Sequence, residues 1–237
     1  MPYSSVVVLT GAGISAESGL KTFRDNDGLW EGHPVLDVAT PEAFHRDPKL
    51  VNTFYNQRRA QLLGGEVHPN AAHKALAAFE KNFKGEFTLV TQNVDDLHER
   101  GGSIEIYHMH GRLLQGKCGY CEHSFEIRSD LNHLDQCSEC KRSGALRPDI
   151  VWFGEMPMYM DEIETKIRRC DLFVSIGTSA AVYPAAGFSD LARYCGAKTL
   201  ELNLAPSSKS EDFSESILGP ATQLVPQVFE EILESAI

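Results

Sequence analysis

The sequence predicts an α/β fold: a mostly parallel sheet covered by helices, with a smaller second lobe. Three observations lead there. Short apolar runs recur along the chain with helical stretches between them, the first run opens into a Gly-x-Gly-x-x-Ala turn, and segments 31–67 and 112–147 break the rhythm.

Val6–Leu9 form the first apolar run and deliver the chain to Gly11 and Gly13. Glycines there permit a tight turn and close approach of a pyrophosphate. Ala16 is small enough for the next helix to pack on the sheet, and that helix's free N–H groups should face the phosphates. In an ordinary dehydrogenase the next strand follows about 20 residues on and ends in an acidic ribose ligand. Residues 20–70 contain no such run, and 31–67 read as helical. Further runs follow at Phe87–Thr91, Ile104–Tyr107, Leu172–Ile176 and Thr199–Leu202, with a fainter one at Gln223–Val225. Residues 1–30, 68–111 and 148–237 are thus assigned to a Rossmann-like lobe, and the insertions 31–67 and 112–147 to the smaller one. Chemistry is expected in the cleft between them, beyond the carboxyl ends of the strands.

The chain has 237 residues, with 22 Lys and Arg against 33 Asp and Glu, a formal net charge of −11. That balance argues against nonspecific nucleic-acid binding and favours a cationic polypeptide partner. No apolar segment approaches the roughly 20 residues that span a bilayer, and no leader precedes Val6–Leu9, so a cytoplasmic location is expected.

Cys118-x-x-Cys121, a spacer of 15 residues and Cys137-x-x-Cys140 have zinc-ribbon spacing. Four thiolates leave no open position for water, so the ion expected here is one structural Zn2+. Unligated surface cysteines are the competing reading. His123 and His133 lie in the spacer, where either is a possible substitute ligand, and Cys170 and Cys195 read as small buried apolar residues.

Two polar groups close apolar runs. Gln92, Asn93 and Asp95, with Val94 between, follow Phe87–Thr91; helix capping by Asn93 or Asp95 is the simpler alternative to ligand binding. At Tyr107–Gly111 a period of two places His108 and His110 on one face, and a histidine there suits a general base. In the helical insertion, about 100° per residue puts Val51, Phe54, Tyr55, Arg58 and Leu62 on one stripe. An inward Arg58 needs an anionic partner; otherwise it snorkels to solvent or pairs with a distant carboxylate.

These residues resemble the sirtuins, NAD-dependent protein lysine deacylases. Gly11-Ala-Gly-Ile-Ser15, Phe23-Arg24, Thr91-Gln-Asn-Val-Asp95, His110-Gly111, the cysteine quartet, Val151-Trp-Phe-Gly-Glu155, Gly177-Thr-Ser179 and Leu202-Asn203 occur in the family's order, between about Val6 and about Ala221. The resemblance implies that NAD is consumed as co-substrate, giving free lysine, nicotinamide and O-acyl-ADP-ribose. It implies an NAD site of Gly11, Ala12, Gly13, Ile14, Ser15, Ala16, Glu17, Phe23, Arg24, Trp30, Gln92, Asn93, Val94, Asp95, His110, Gly177, Thr178, Ser179, Asn203, Leu204, Ala205 and Ala221. His110 would be the catalytic base. Val151, Trp152, Phe153, Gly154 and Glu155 would pair as a strand with the backbone of an acyl-lysine protein or peptide.

Tyr55 and Arg58 look like the Tyr-x-x-Arg signature of class III sirtuins, which implies succinyl, malonyl or glutaryl substrates besides acetyl, with desuccinylase activity at least comparable to deacetylase activity. Thr22 and Ala205 depart from the wider family, which often carries acidic residues there. Three rivals share features: a hydride-transferring dehydrogenase, a non-enzymatic acyl-lysine or nucleic-acid binder, and a protein ADP-ribosyltransferase. Nicotinamide release without reduced cofactor, loss of turnover in His110→Ala, and the mass added to the acceptor separate them.

Overall fold

The computed structural model describes residues 3–21, the backbone of 29–30, and 32–235. Phe23 and Arg24 lie outside the described residues, as does the side chain of Trp30. From the amino end come β1 (Ser5–Thr10), the single turn α1 (Gly13–Ala16), the small hairpin of β2 (Leu29–Trp30) and β3 (His33–Pro34), and helices α2 (Val35–Val38), α3 (Pro41–Arg46), α4 (Pro48–Leu63) and α5 (Ala71–Asn82). There follow β4 (Glu86–Thr91), α6 (Leu97–Gly101), β5 (Ile106–His108), β6 (Gly111–Cys118), β7 (Ser124–Glu126) and β8 (Leu146–Ile150). The chain ends with α7 (Met160–Ile167), β9 (Leu172–Ile176), α8 (Phe188–Tyr194), β10 (Lys198–Asn203), β11 (Glu215–Leu218) and α9 (Ala221–Glu234).

The main sheet has the order β11-β10-β9-β1-β4-β5, and each neighbouring pair is parallel. β1 is buried at every position, as expected of a strand covered on both faces. Its alternate residues serve two cores. Val6 and Val8 pack with Leu76 and Phe79 of α5 and Val225 and Phe229 of α9, while Val7 and Leu9 pack with Ile163 of α7 and Phe188 of α8. The strand order reverses at β1, so the carboxyl ends of β1 and β9 flank a topological switch point, where such sheets bind ligands.

The apolar runs become strands, with one correction. Gln223–Val225 lies inside α9, where Val225, Val228, Phe229 and Ile232 share the buried side at helical spacing. The edge strand is Glu215–Leu218, mostly exposed, so a search for apolar runs passes over it.

Helices α3 and α4 begin at Thr40 and Asp47, whose side chains accept from the N–H groups of Ala43 and Leu50, each with proline in the first turn. They pack beside the antiparallel sheet β7-β6-β8, sharing a core in which Val51, Phe54, Tyr55 and Leu62 meet Leu113, Ile150 and Trp152. Among the described residues no helix is long and apolar enough to cross a membrane.

Candidate active site

Glycines join the two central loops. The N–H groups of Gly11 and Gly13 donate to the carbonyls of Ile176 and Gly177, both at 2.9 Å. A Cβ on Gly13 would stand 2.6 Å from the Gly177 Cα, and Gly177, at φ +63°, would place its own 2.5 Å from the Ile14 nitrogen. These glycines therefore let one loop lie backbone to backbone on the other. That corrects two expectations. The helix after the turn is only one turn long, and the N–H groups of Gly13, Ile14 and Ser15 are already taken by the carbonyls of Gly177, Gly11 and Ala12. Ala16 is exposed, and Ile14, fully buried, makes the contact with the sheet.

Beyond β4 the chain turns inward. Asn93 Nδ2 donates to the Gly11 carbonyl and to Ser15 Oγ, both at 3.1 Å, and Ser15 Oγ donates to Asp95 Oδ2 at 3.1 Å. Asp95 Oδ1 accepts from the Leu97 N–H at 3.1 Å, a turn just ahead of α6, but the N-cap of that helix is Asp96, so neither Asn93 nor Asp95 is its capping residue. Burial outweighs those hydrogen bonds and raises the Asp95 carboxyl to about 6. Two buried histidines support the group and were missed in the sequence. His73 Nε2 lies 3.4 Å from Ser15 Oγ, and His98 Nε2 lies 2.9 Å from Thr10 Oγ1, which donates to Thr91. For His73 a signal existed, since Asn70-x-x-His73 has the spacing of a capping box and forms one.

His108 and His110 do not share a strand face, because β5 ends at His108. His108 is buried, with Nε2 2.8 Å from Glu99 Oε1. His110 follows in the turn, with Nδ1 3.1 Å from the Gln92 carbonyl. A carbonyl only accepts, so Nδ1 carries the proton and Nε2 keeps a lone pair. Burial lowers the His110 pKa, partly offset by that carbonyl.

On the β9 and β10 side, Thr178 and Asn203 are buried, and Asn203 Nδ2 donates to the Thr178 carbonyl at 2.7 Å. Ser179 follows Thr178 in the same loop, while Leu204 and Ala205 are exposed. Glu17 accepts from the N–H and hydroxyl of Thr222 at 3.0 and 2.7 Å, which brings the end of α1 to Ala221 at the start of α9. Polar side chains are thus buried where β1, β4, β9 and β10 end, a setting that suits a dinucleotide rich in hydrogen-bonding groups.

The 151–155 segment is not an open strand. The N–H of Val151 donates to the His110 carbonyl, that of Phe153 to Ala39, that of Glu155 to Trp152, and that of Trp152 to Glu155 Oε2. Glu155 also receives two hydrogen bonds from Arg147, at 2.6 and 2.9 Å, and the Arg147 guanidinium stacks 3.2 Å from the Trp152 ring centroid. Gly154 occupies the exposed turn at φ +92°. With these four N–H groups taken, the segment does not offer the open ladder of donors that strand pairing expects. Trp152 Nε1 donates to the hydroxyl of buried Tyr55 at 2.9 Å. One helical turn along α4, the Nε and Nη1 atoms of Arg58 are buried and find no hydrogen-bond partner among the described residues, with the guanidinium 5.0 Å from the Phe54 ring. The helical stripe missed Arg59, which is more deeply buried than Arg58.

The thiols of Cys118, Cys121, Cys137 and Cys140 all lie within 4.8 Å of one another, with Cys118 to Cys140 at 3.7 Å and Cys121 to Cys137 at 3.6 Å. Sulfurs about 2.3 Å from a shared tetrahedral zinc would be roughly 3.8 Å apart, so the quartet fits one ion. His123 and His133 are not part of that cluster. Cys170 is buried as expected, but Cys195 is exposed.

Residues 11–184 match the model of the Sir2 family. A protein of Vibrio cholerae serotype O1 named NAD-dependent protein deacylase is 54% identical over 98% of this chain and 95% of its own length. One of the same name from Pasteurella multocida is 54% identical over 96% and 97%. Among solved structures, a Sir2 homolog–NAD complex superposes with a TM-score of 0.89 at 36% identity, covering 99% of this chain and 91% of the other. A complex of Sir2 with a p53 peptide and NAD+ gives 0.81 at 28% identity, covering 97% and 93%.

Proposed function

The chain belongs to the Sir2 family, and from that premise we propose how its residues carry out the reaction. It is an NAD-dependent protein lysine deacylase acting on acyl-lysine peptides. When bound, NAD supplies nicotinamide as leaving group and the sugar that takes the acyl group. His110 is the base: its Nδ1–H is held by the Gln92 carbonyl, and burial keeps the ring neutral, so Nε2 is ready to accept a proton from a sugar hydroxyl at neutral pH. The Asn93, Ser15 and Asp95 cluster holds the nicotinamide-ribose end, with Gln92 and Val94 flanking it. Gly11–Glu17, Gly177–Ser179, Asn203–Ala205 and Ala221 would hold the phosphates and adenosine; the family's pattern adds Phe23, Arg24 and Trp30, whose side chains lie outside the described residues. The quartet holds one structural zinc away from the chemistry. Residues 1–30, 68–111 and 148–237 act as the NAD-binding lobe and 31–67 with 112–147 as the small lobe. The cytoplasm is the location that suits thiolate ligands, because its thiols stay reduced.

The acyl group is one ending in a carboxylate, succinyl first. A single observation carries this: two buried guanidinium nitrogens of Arg58 lack a hydrogen-bond partner among the described residues, one helical turn from the Tyr55 hydroxyl. Such donors are costly unless a ligand anion satisfies them, and a carboxylate matches the guanidinium fork. Matched succinyl-lysine and acetyl-lysine peptides with NAD test it. Succinyl turnover should at least equal acetyl turnover in the wild type, and Arg58→Met should lower succinyl kcat/KM by about 10- to 100-fold. Undiminished succinyl turnover in the variant removes Arg58 from the role.

A further inference from the structure

Helix α4 has a second functional face. Asn52, Asn56 and Arg59 recur at helical spacing on a face turned away from Phe54 and Arg58, with Tyr55 at its border, and Asn52 and Arg59 are each only 2% exposed. Buried polar groups are as a rule hydrogen-bonded, and on this face only Asn52 Oδ1 and Arg59 Nη2 lack a partner among the described residues. Here the partners are backbone atoms of the cysteine-bearing sheet and its connecting loop. Asn56 Nδ2 donates to the Leu131 carbonyl at 3.1 Å while Asn56 Oδ1 accepts from the Leu131 N–H at 3.0 Å, a two-way clamp. Arg59 Nη1 donates to Asn56 Oδ1 at 2.8 Å and to the Ser129 carbonyl at 3.3 Å, and Arg59 Nε donates to the Leu113 carbonyl at 3.3 Å.

The anchors matter for their positions. Ser129 and Leu131 lie in the spacer between the two cysteine pairs, and the buried Leu131 side chain packs in the cluster containing Cys118 and Cys137. Leu113 belongs to β6, the strand that starts directly after His110. Arg59 therefore ties the helix bearing Arg58 to the strand leaving the catalytic base, and Asn56 ties it to the loop closed by the zinc ligands.

We propose that Asn56 and Arg59 are positioning residues that set where Arg58 and Tyr55 stand relative to His110, and so gauge the length and charge of the acyl group, with the zinc-closed loop as their anchor. This rests on the reading of Arg58 as the acyl-carboxylate ligand. A carboxylate gripped at one end must present its carbonyl at the other, so a small shift of the helix penalises an acidic acyl chain more than an acetyl group that never reaches Arg58.

Steady-state kinetics of Asn56→Ala and Arg59→Met, each with and without Arg58→Met, on matched succinyl-lysine and acetyl-lysine peptides test the proposal. The expected result is a rise of about tenfold in KM for the succinyl peptide with kcat within about threefold, and a succinyl-to-acetyl kcat/KM ratio lowered about tenfold. In the Arg58→Met background the same changes should lower that ratio less than about twofold. A proportional loss on both peptides means a merely structural role and overturns the proposal while leaving Arg58 in place. If Arg58→Met itself leaves succinyl turnover intact, both readings fall. Should the variants fold poorly, hydrogen exchange on wild-type protein supplies a readout other than activity. Chelating the zinc should speed exchange in residues 51–62 together with 129–131, whereas unchanged protection of the helix while 112–147 opens overturns the clamp.

Discussion

Replacing Arg147 by methionine should expose how the 151–155 turn is held beside His110. The guanidinium gives two hydrogen bonds to Glu155, one to the Ile150 carbonyl at 2.7 Å, and a stacking face to Trp152. Its side chain is 10% exposed and that of Glu155 26%. Breaking a buried pair costs about 3–5 kcal/mol, and the partial exposure of Glu155 brings the expectation to about 3 kcal/mol. For a chain of this size that is a drop of about 6–12 °C in melting temperature. Arg147→Met, Glu155→Gln and the double variant, followed by calorimetry, form a cycle whose coupling should be about 2 kcal/mol. Burial alone would raise the Glu155 pKa, but the hydrogen bonds from Arg147 and from the Trp152 N–H, with the charges of Arg147 and Lys117, hold it below the ordinary value. The gap between wild type and Arg147→Met should therefore be complete above the ordinary glutamate range and close as pH falls through the depressed native value. Additive single effects below about 0.5 kcal/mol, or a gap that persists in acid, would refute the reasoning.

Asp95→Asn should separate stability from function. A carboxyl near 6 in the fold and near the ordinary 3.8 when unfolded loses stability as pH rises between those values, so the amide should be more stable at pH 7 by about 2 kcal/mol, seen in melting curves, while deacylation falls. Gly177→Ala should cost more than about 2 kcal/mol in denaturant unfolding, since the new methyl meets the Ile14 nitrogen at 2.5 Å and the residue sits at φ +63°. The acidic limb of the pH–rate profile should titrate below 6.5, the ordinary histidine value, because burial holds His110 neutral, and His110→Ala should abolish turnover across the range.

Much of this protein is legible in its sequence because the relevant signals are local. The Val6–Leu9 run, the Gly11 and Gly13 turn and the paired Cys-x-x-Cys spacings each lie within a few residues, and the structure turns them into the central strand, the switch-point loop and a thiol tetrahedron. Tyr55 and Arg58 are legible as a helical stripe for the same reason. What fails depends on partners distant in sequence. Gly11 and Gly13 read as an approach for phosphate, yet their Cβ positions are closed by Gly177, more than 160 residues away. His108 and His110 read as one face until the strand stops between them. The 151–155 segment reads as a free edge, but the Glu155 carboxylate and the carbonyls of His110, Ala39 and Trp152 have taken four of its N–H groups. Covalent neighbours set strand period, thiol spacing and glycine turns, which is why five of the six main-sheet strands, the four thiols and the family's motifs can be read from the chain, while the exposed edge strand Glu215–Leu218 cannot. Which polar groups remain for a ligand is settled by packing between distant segments. Arg59 and Arg58 are adjacent and chemically identical, yet among the described residues Nε and Nη1 of Arg59 meet backbone carbonyls brought in from Leu113 and Ser129, which leaves its Nη2 alone without a partner, while Nε and Nη1 of Arg58 find none.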